Sequence, residues 1–395
     1  MTSMAPTSGG WMSTLGWLAS VSSSVFVITS LIEAVVDVAN EDFLFQPWQY
    51  TLIMLAFLLI TIAFNTWGAK ALPKLEVLSL FGHMGGFLVV IVPLLVMAPK
   101  NPAREVFTEV VNSSGWGSTG TSCLIAQVTI MYCNLAEEVE NASLAVPRAM
   151  WWSYVLNVTM GISILIVMLF CIGPLESVLD AQSPYLALFK NTGSNAMAFS
   201  LLIILFILIS LGNITALATT SREMWAFSRD KGFPFSRWIS RMDNERQVPD
   251  NSVYLTSIIA GILCLVNLGS TFAFNIIVSL TLLALLSTYM ISIGCVLRKR
   301  LLDEPLPPAR WSLGRFGIPI NAFAFVYCGF VMIFACFPAE LPVDTGSANW
   351  APVVWVAALL LSGVVYGLHG REHYTPPVVF VEGKRPEGIE LQGVE

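Results

Sequence analysis

A chain of 395 residues that is 55% hydrophobic and 12% charged, with a mean hydropathy of +0.72, lies far outside the range of soluble domains and reads as a polytopic membrane protein. The formal charge of −6 carries no basic face for nucleic acid, because Lys and Arg are confined to short connectors. All seven cysteines fall in apolar segments, which argues against an extracellular disulfide framework and predicts buried free thiols.

In chain order, apolar windows of helical length cover residues 11–38, 48–67, 75–97, 120–136, 151–173, 196–219, 253–268, 272–297, 319–338 and 351–368, so about ten transmembrane helices are expected. The runs are continuous and not alternating over ten residues, which disfavours a β-barrel. Residues 1–10 contain no Lys or Arg and the first window is too long for a signal segment, so the first span is expected to be retained. The fourth window would be only about 25 Å long against a hydrocarbon core of roughly 30 Å, and should look short or tilted. After it comes a polar hinge, NLAEEVENASLAVPRAM over 134–150, whose Glu137, Glu138, Glu140 and Arg148 require water and fix one membrane face.

Of 20 Lys and Arg residues, only Lys100, Arg104 and Lys190 fall on one side of the spans. The remaining 17 place both termini in the cytoplasm. The connector over 221–251 interleaves Trp225, Phe227, Phe233, Phe235, Trp238 and Ile239 with basic residues. It is expected to pack over helix ends, with an interfacial lipid-contacting segment as the alternative. Residues 1–373 form one transmembrane domain, and the Pro-, Gly- and Glu-rich stretch 374–395 is expected to be a disordered cytoplasmic tail.

Few polar groups lie inside the spans. His83 sits about 12 Å into the third window, where an ionisable group is a functional candidate and an imidazole suits proton binding and release. The alternative is a neutral ring bonded between helices. Substrate candidates are Ser22 and Ser23 in the first span, Tyr132, Cys133 and Asn134 at the end of the fourth, and Asn213 and Thr215 beside Gly212 in the sixth. For each of these, interhelical hydrogen bonding is the competing use. Gly82 and Gly86, four apart around His83, are explained by helix packing. No catalytic triad, phosphate loop, CxxC or HExxH is present, so no enzyme, metal or cofactor is expected.

Six blocks carry a resemblance: GWMSTLGWLAS, FNTWGAKALPKLE, AEEVENASLAVPRAM, SREMWAFSRDKGFPFS, LPPARWSLGRFGIPIN and NWAPVV. Together and in this order they resemble transporters of the amino acid–polyamine–organocation (APC) superfamily, most of all the fungal permeases for amino acids, GABA and choline. The resemblance implies an all-α transmembrane, APC/LeuT-like inverted-repeat helix bundle. In that family the first ten of twelve helices form two five-helix repeats around a midplane site. The ten spans would match family helices three to twelve, so the bundle is expected to be incomplete, truncated at the N-terminus and shortened in the sixth family helix. The implied function is secondary transport of an amino acid or small amine such as GABA or choline, coupled to protons, in the plasma membrane sooner than an internal one. His83 resembles the position at which proton-coupled relatives carry a Lys. The missing helices imply poor transport by the chain alone, and the alternative is a non-transporting pseudo-permease acting through association with another membrane protein.

Overall fold

A computed structural model describes all residues except 1–3, 41, 42, 44, 109, 111, 113, 131–141, 175–177, 179–182, 271, 307–312 and 375–395. Its main helices are α1 (Met4–Ala39), α2 (Pro47–Thr66), α3 (Leu72–Met97), α4 (Thr119–Ile130), α5 (Ala142–Cys171), α6 (Asn195–Arg229), α7 (Asp250–Cys264), α8 (Ala273–Leu301), α9 (Gly317–Ala335) and α10 (Ala351–Val365). Among the described residues nine helices are long and apolar enough to cross a membrane, and there is no strand. The fold is an all-α transmembrane bundle. Of the expected fourth span the structure describes α4, 12 residues long, and the rest lies outside the described residues. The tail over 375–395 lies outside them too.

Local signals set several helix ends. Gln46 and Gln49 form a reciprocal capping box and Pro47 opens α2, where its missing N–H costs nothing. Ser194 accepts from the Met197 N–H at the start of α6, and Arg298, Lys299 and Arg300 close α8 against its negative dipole end.

Two helices outrun their hydrophobic windows. α6 continues ten residues past 219, to Arg229, because nothing in SREMWAFSR breaks a helix before Gly232 and Pro234. Its 35 residues span about 52 Å, well beyond a roughly 30 Å core, so the last turns reach the interface. α5 begins at Ala142 and not 151, taking Pro147 inside the helix. Apolarity marks what the membrane covers, whereas backbone hydrogen bonding marks what is helical.

The bundle is built around α1 and α8. Buried residues make up 56% and 67% of their apolar windows, against 6% for α5. Leu31 and Ala34 of α1 meet Val90 and Leu94 of α3 and Leu201 and Leu202 of α6. On its other side Ala19 meets Ile277, Leu280 and Leu283 of α8, backed by Val331 and Ala335 of α9. Small residues set the close approaches. A Cβ on Gly16 would lie 2.6 Å from Leu285, and Cβ atoms on Gly82 and Gly86 would lie 2.8 Å and 2.6 Å from the two ends of Leu208. The glycine pair of α3 is thus a socket for one leucine of α6. The outer faces of α3, α5, α9 and α10 carry exposed Leu, Val, Ile and Phe, as lipid-facing helices do.

Hydrogen bonds sort the connectors into two ends. At one, the Asn101 N–H donates to Phe170 O at 2.7 Å, Asn191 Nδ2 donates to Cys171 O and Ile172 O, and Ser270 Oγ donates to Gly346 O. At the other, Trp11 Nε1 donates to Gly232 O at 3.1 Å, Arg246 Nη1 donates to Thr66 O at 3.2 Å, and Tyr374 packs against Phe227. Trp11 and Tyr374 therefore share an end. Lys100, Arg104 and Lys190 belong to the opposite one.

The expectation of buried thiols needs correction. The described cysteines are free, but Cys123, Cys295 and Cys336 are exposed and Cys328 is half-buried, leaving Cys171 and Cys264 buried. In a membrane bundle an apolar neighbourhood can be lipid as readily as protein, so hydrophobic context does not report burial. Cys133 lies outside the described residues.

Candidate substrate and proton site

A cleft of about 710 Å³ opens between α3, α5 and α6, with Trp17 of α1 at its back. α3 contributes Ser79 and His83, α5 contributes Ser153 and Asn157, and α6 contributes Gly212, Thr215 and Thr219. The other lining side chains are apolar and none is Asp, Glu, Lys or Arg. His83 is the twelfth of 26 residues in α3, close to the helix middle. It is exposed to the cleft and not enclosed between helices, and its ring is bonded within its own helix. Nδ1 lies 2.7 Å from Ser79 O and 3.2 Å from Ser79 Oγ. A carbonyl can only accept, so Nδ1 carries hydrogen and, in the neutral ring, Nε2 is the nitrogen left to take a proton.

Three of the other polar side chains of the cleft also spend donors locally. Asn157 Nδ2 donates to Ser153 O at 2.8 Å, Thr215 Oγ1 to Gly212 O at 3.0 Å, and Thr219 Oγ1 to Thr215 O at 3.1 Å. What remains is mixed: the Asn157 amide oxygen, the threonine lone pairs and His83 Nε2 can accept, while the Ser79 and Ser153 hydroxyls, which accept from His83 Nδ1 and Asn157 Nδ2, each keep a hydrogen to donate. An uncharged, acceptor-rich cleft in apolar surroundings suits a ligand that brings N–H donors. Trp17 and Phe87 add aromatic faces that attract a cation without N–H groups.

The sequence candidates separate into two places. His83 and Thr215 meet in the cleft. Ser22, Ser23 and Asn213 lie in a buried layer where α1, α2, α6 and α7 cross, at 0%, 2% and 1% exposure. Ser22 Oγ is within 3.0 Å of Leu18 O and 3.2 Å of Ala260 O in α7, and Ser23 Oγ donates to Ser20 O. Asn213 Nδ2 donates to Val21 O at 3.1 Å, while its Oδ1 accepts from Thr61 Oγ1 at 3.1 Å. Asn65 Nδ2 extends the layer to Ile214 O at 3.0 Å. These bonds tie four helices together. Tyr132, Cys133 and Asn134 lie outside the described residues.

Asn157 and Ser153 do not stand out in the sequence, because they sit near the start of a long apolar run. The signal was the same as at Asn213, a carboxamide within an aliphatic span. Among the described residues no group of three or more His, Cys, Asp or Glu is placed to hold a metal ion.

Outside the membrane, the α6–α7 connector is locked by charge. Arg246 bridges Asp243 at 3.1 Å and Asp250 at 2.6 Å while its other nitrogen reaches Thr66 O at the end of α2. Hydrogen bonds from the backbone N–H and guanidinium of Arg246 hold the Asp243 carboxyl below its ordinary range.

A helical bundle crossing the membrane many times, with an uncharged polar cleft opening between its helices, has the build of a transporter. The chain belongs to the amino acid permease family, whose model matches residues 7–358. It is 30% identical over 388 residues to an uncharacterized amino-acid permease of Schizosaccharomyces pombe, covering 94% of this chain and 71% of that one. Amino-acid permease 2 of Neurospora crassa is 26% identical, with 93% and 70% covered. The choline transporter of Saccharomyces cerevisiae is 25% identical, with 90% and 64% covered.

Proposed function

We propose that the protein moves an amino acid or a small amine across a membrane, coupled to protons through His83. The observation that carries this reading is the cleft. It is uncharged, most of its free hydrogen-bonding capacity is acceptor, and the one titratable side chain in its described lining has a ring nitrogen left to protonate. An ammonium group brings three N–H donors to such a lining, and Asn157, Thr215 and Thr219 are the acceptors best placed to take them. Choline, which has no N–H, would instead depend on Trp17 and Phe87. The relatives' names include amino-acid permeases and a choline transporter, which agrees with this range of substrates.

The charge split across the spans supports an orientation with both chain ends in the cytoplasm, and the family resemblance supports the plasma membrane. Residues 1–373 act as the transport domain in this reading. The test is reconstitution of the purified chain into vesicles with labelled amino acids, GABA and choline under an imposed proton gradient. Saturable uptake that collapses with the gradient, and whose pH dependence is flattened in His83→Gln, is expected. Such uptake would also remove the expectation of poor transport by the chain alone. Uptake that keeps its pH dependence in His83→Gln would end the proton role, and no saturable uptake of any of the three would favour a non-transporting partner of another membrane protein.

A further inference from the structure

A second recess, of about 460 Å³, lies at the end of the bundle that holds Trp11 and the α6–α7 connector, and its lining is almost wholly apolar. Leu18, Met224, Phe233 and Ile239 form a buried floor. The rim is open: Phe235 is 83% exposed, and Trp238 and Leu361 are each 52% exposed. An apolar recess this large, at a membrane interface, is not left to water.

Two further observations indicate what fills it. Phe235 is held at φ 59°, a left-handed backbone that a bulky residue adopts only at a cost. Its ring nevertheless stands in the open at the rim, so packing within the described chain does not recover that cost. Two basic residues beside the rim have no acidic counterpart among the described residues, since the neighbouring Asp230 is paired with Arg229 at 3.5 Å. Lys231 adjoins Gly232, whose carbonyl accepts from Trp11 of the lining, and Arg237 lies between Phe235 and Trp238 in the short helix Ser236–Ile239. Both basic residues are exposed, and neither makes an ion pair among the described residues.

We propose that this recess is a specific lipid site, taking an acyl chain of an anionic phospholipid of the adjoining leaflet. Hydrocarbon fills the space over Leu18 and Met224, Phe235 and Trp238 clasp the upper chain and glycerol region, and Lys231 and Arg237 hold the phosphate and acidic headgroup. Phospholipid chains are already out of water in the bilayer, so shape alone gives little preference between lipids. The headgroup charge supplies it, at roughly fivefold per basic residue at such a surface. Together with the proposed orientation, this places the site in the cytoplasmic leaflet, where anionic lipids are enriched.

The test uses the full chain in nanodiscs of phosphatidylcholine doped with photoactivatable phosphatidylserine or photoactivatable phosphatidylcholine carrying the reactive group in the acyl chain. Crosslinks should map to 233–239 and 255–259 and favour phosphatidylserine. Lys231→Gln with Arg237→Gln should reduce that preference at least tenfold while leaving the crosslinked positions unchanged, and Arg104→Gln at the opposite end should leave both unchanged. Leu361→Trp, a rim change that needs no core rearrangement, should abolish the crosslinks at 255–259. Equal labelling by both lipids, or crosslinks absent from the lining, would overturn the site. So would crosslinks confined to 375–395, which would show the recess covered by the chain's own tail. A cysteine introduced at Asn244 and labelled from either side reports the orientation separately, and none of these readouts depends on transport.

Discussion

Replacing Asn213 by Ala separates packing from substrate contact. The side chain makes two bonds across helices, to Val21 O and from Thr61 Oγ1, each at 3.1 Å. Interhelical hydrogen bonds in membrane bundles contribute about 0.6 kcal/mol on average and up to about 1.7 kcal/mol. The single Thr61 hydroxyl hydrogen is shared between Asn213 Oδ1 and Phe57 O, the latter at 3.0 Å, so the substitution leaves no orphaned hydroxyl and the loss is at most near the sum of two such bonds plus a small cavity, about 2 kcal/mol. With unfolding entropy near 2.1 cal/mol/K per residue, Tm should fall by about 2–3 °C, read by thermal unfolding in detergent or nanodiscs. The coupling energy in a double-mutant cycle with Thr61→Val should return the one shared bond, about 0.6–1.7 kcal/mol. An unchanged Tm and zero coupling, together with a raised KM for uptake, would refute this account and return Asn213 to the substrate site.

The remaining expectations use other contacts. Gly86→Val should lower stability by crowding Leu208, and adding Leu208→Ala should recover part of the loss; equal stability of the two variants would deny the socket. Gly232→Ala should destabilise, because its Cβ would lie 2.3 Å from the Phe227 ring, which a Cβ on Gly10 would also meet at 2.3 Å, and Phe227→Leu should relieve it in the same unfolding assay. Asp243, with its carboxyl depressed in the folded state, contributes above the ordinary carboxylate pKa of about 3.9 and loses that contribution as pH falls through the depressed value. Protection of residues 241–249 from hydrogen exchange should therefore be flat from neutrality to about pH 4.5 and fall only in stronger acid. Arg246→Gln should remove protection at all pH values, and unchanged exchange in that variant would show that the ion pairs do not hold the connector.

Hydropathy made the span centres readable, since burying backbone in lipid demands long apolar helices and leaves few alternatives. It could not place the end of α6, whose last turns are amphipathic and helical outside the core. The grouping of side chains was less readable. Ser22, Asn213 and His83 all appear as polar residues in apolar helices, yet two of them tie helices together and one lines a cleft. The difference lies in rotation about each helix axis, which one polar residue does not report. The glycine pair of α3 was readable because a four-residue spacing of small side chains defines a face by itself. Ser153 and Asn157 share that spacing, but Thr159 and Ser163 mark a different face of the same helix, so the polar pattern of α5 does not by itself pick one side.

The hydroxyl-rich face of α1 also bears on biosynthesis. Its lasting partners are made late: Asn213 follows Val21 by 192 residues and Ala260 follows Ser22 by 238. At roughly 5–20 residues per second, the newly inserted helix waits about 10–50 s for them. During that interval Thr14, Ser22, Ser24 and Thr29 can each donate to a carbonyl one turn back, on Gly10, Leu18, Ser20 and Val25. The helix so chosen can idle in the bilayer without an unsatisfied hydroxyl. A row of Asn at the same positions would have to recruit neighbours at once, right or wrong, so α1 combines late partnering with little temptation to mispair.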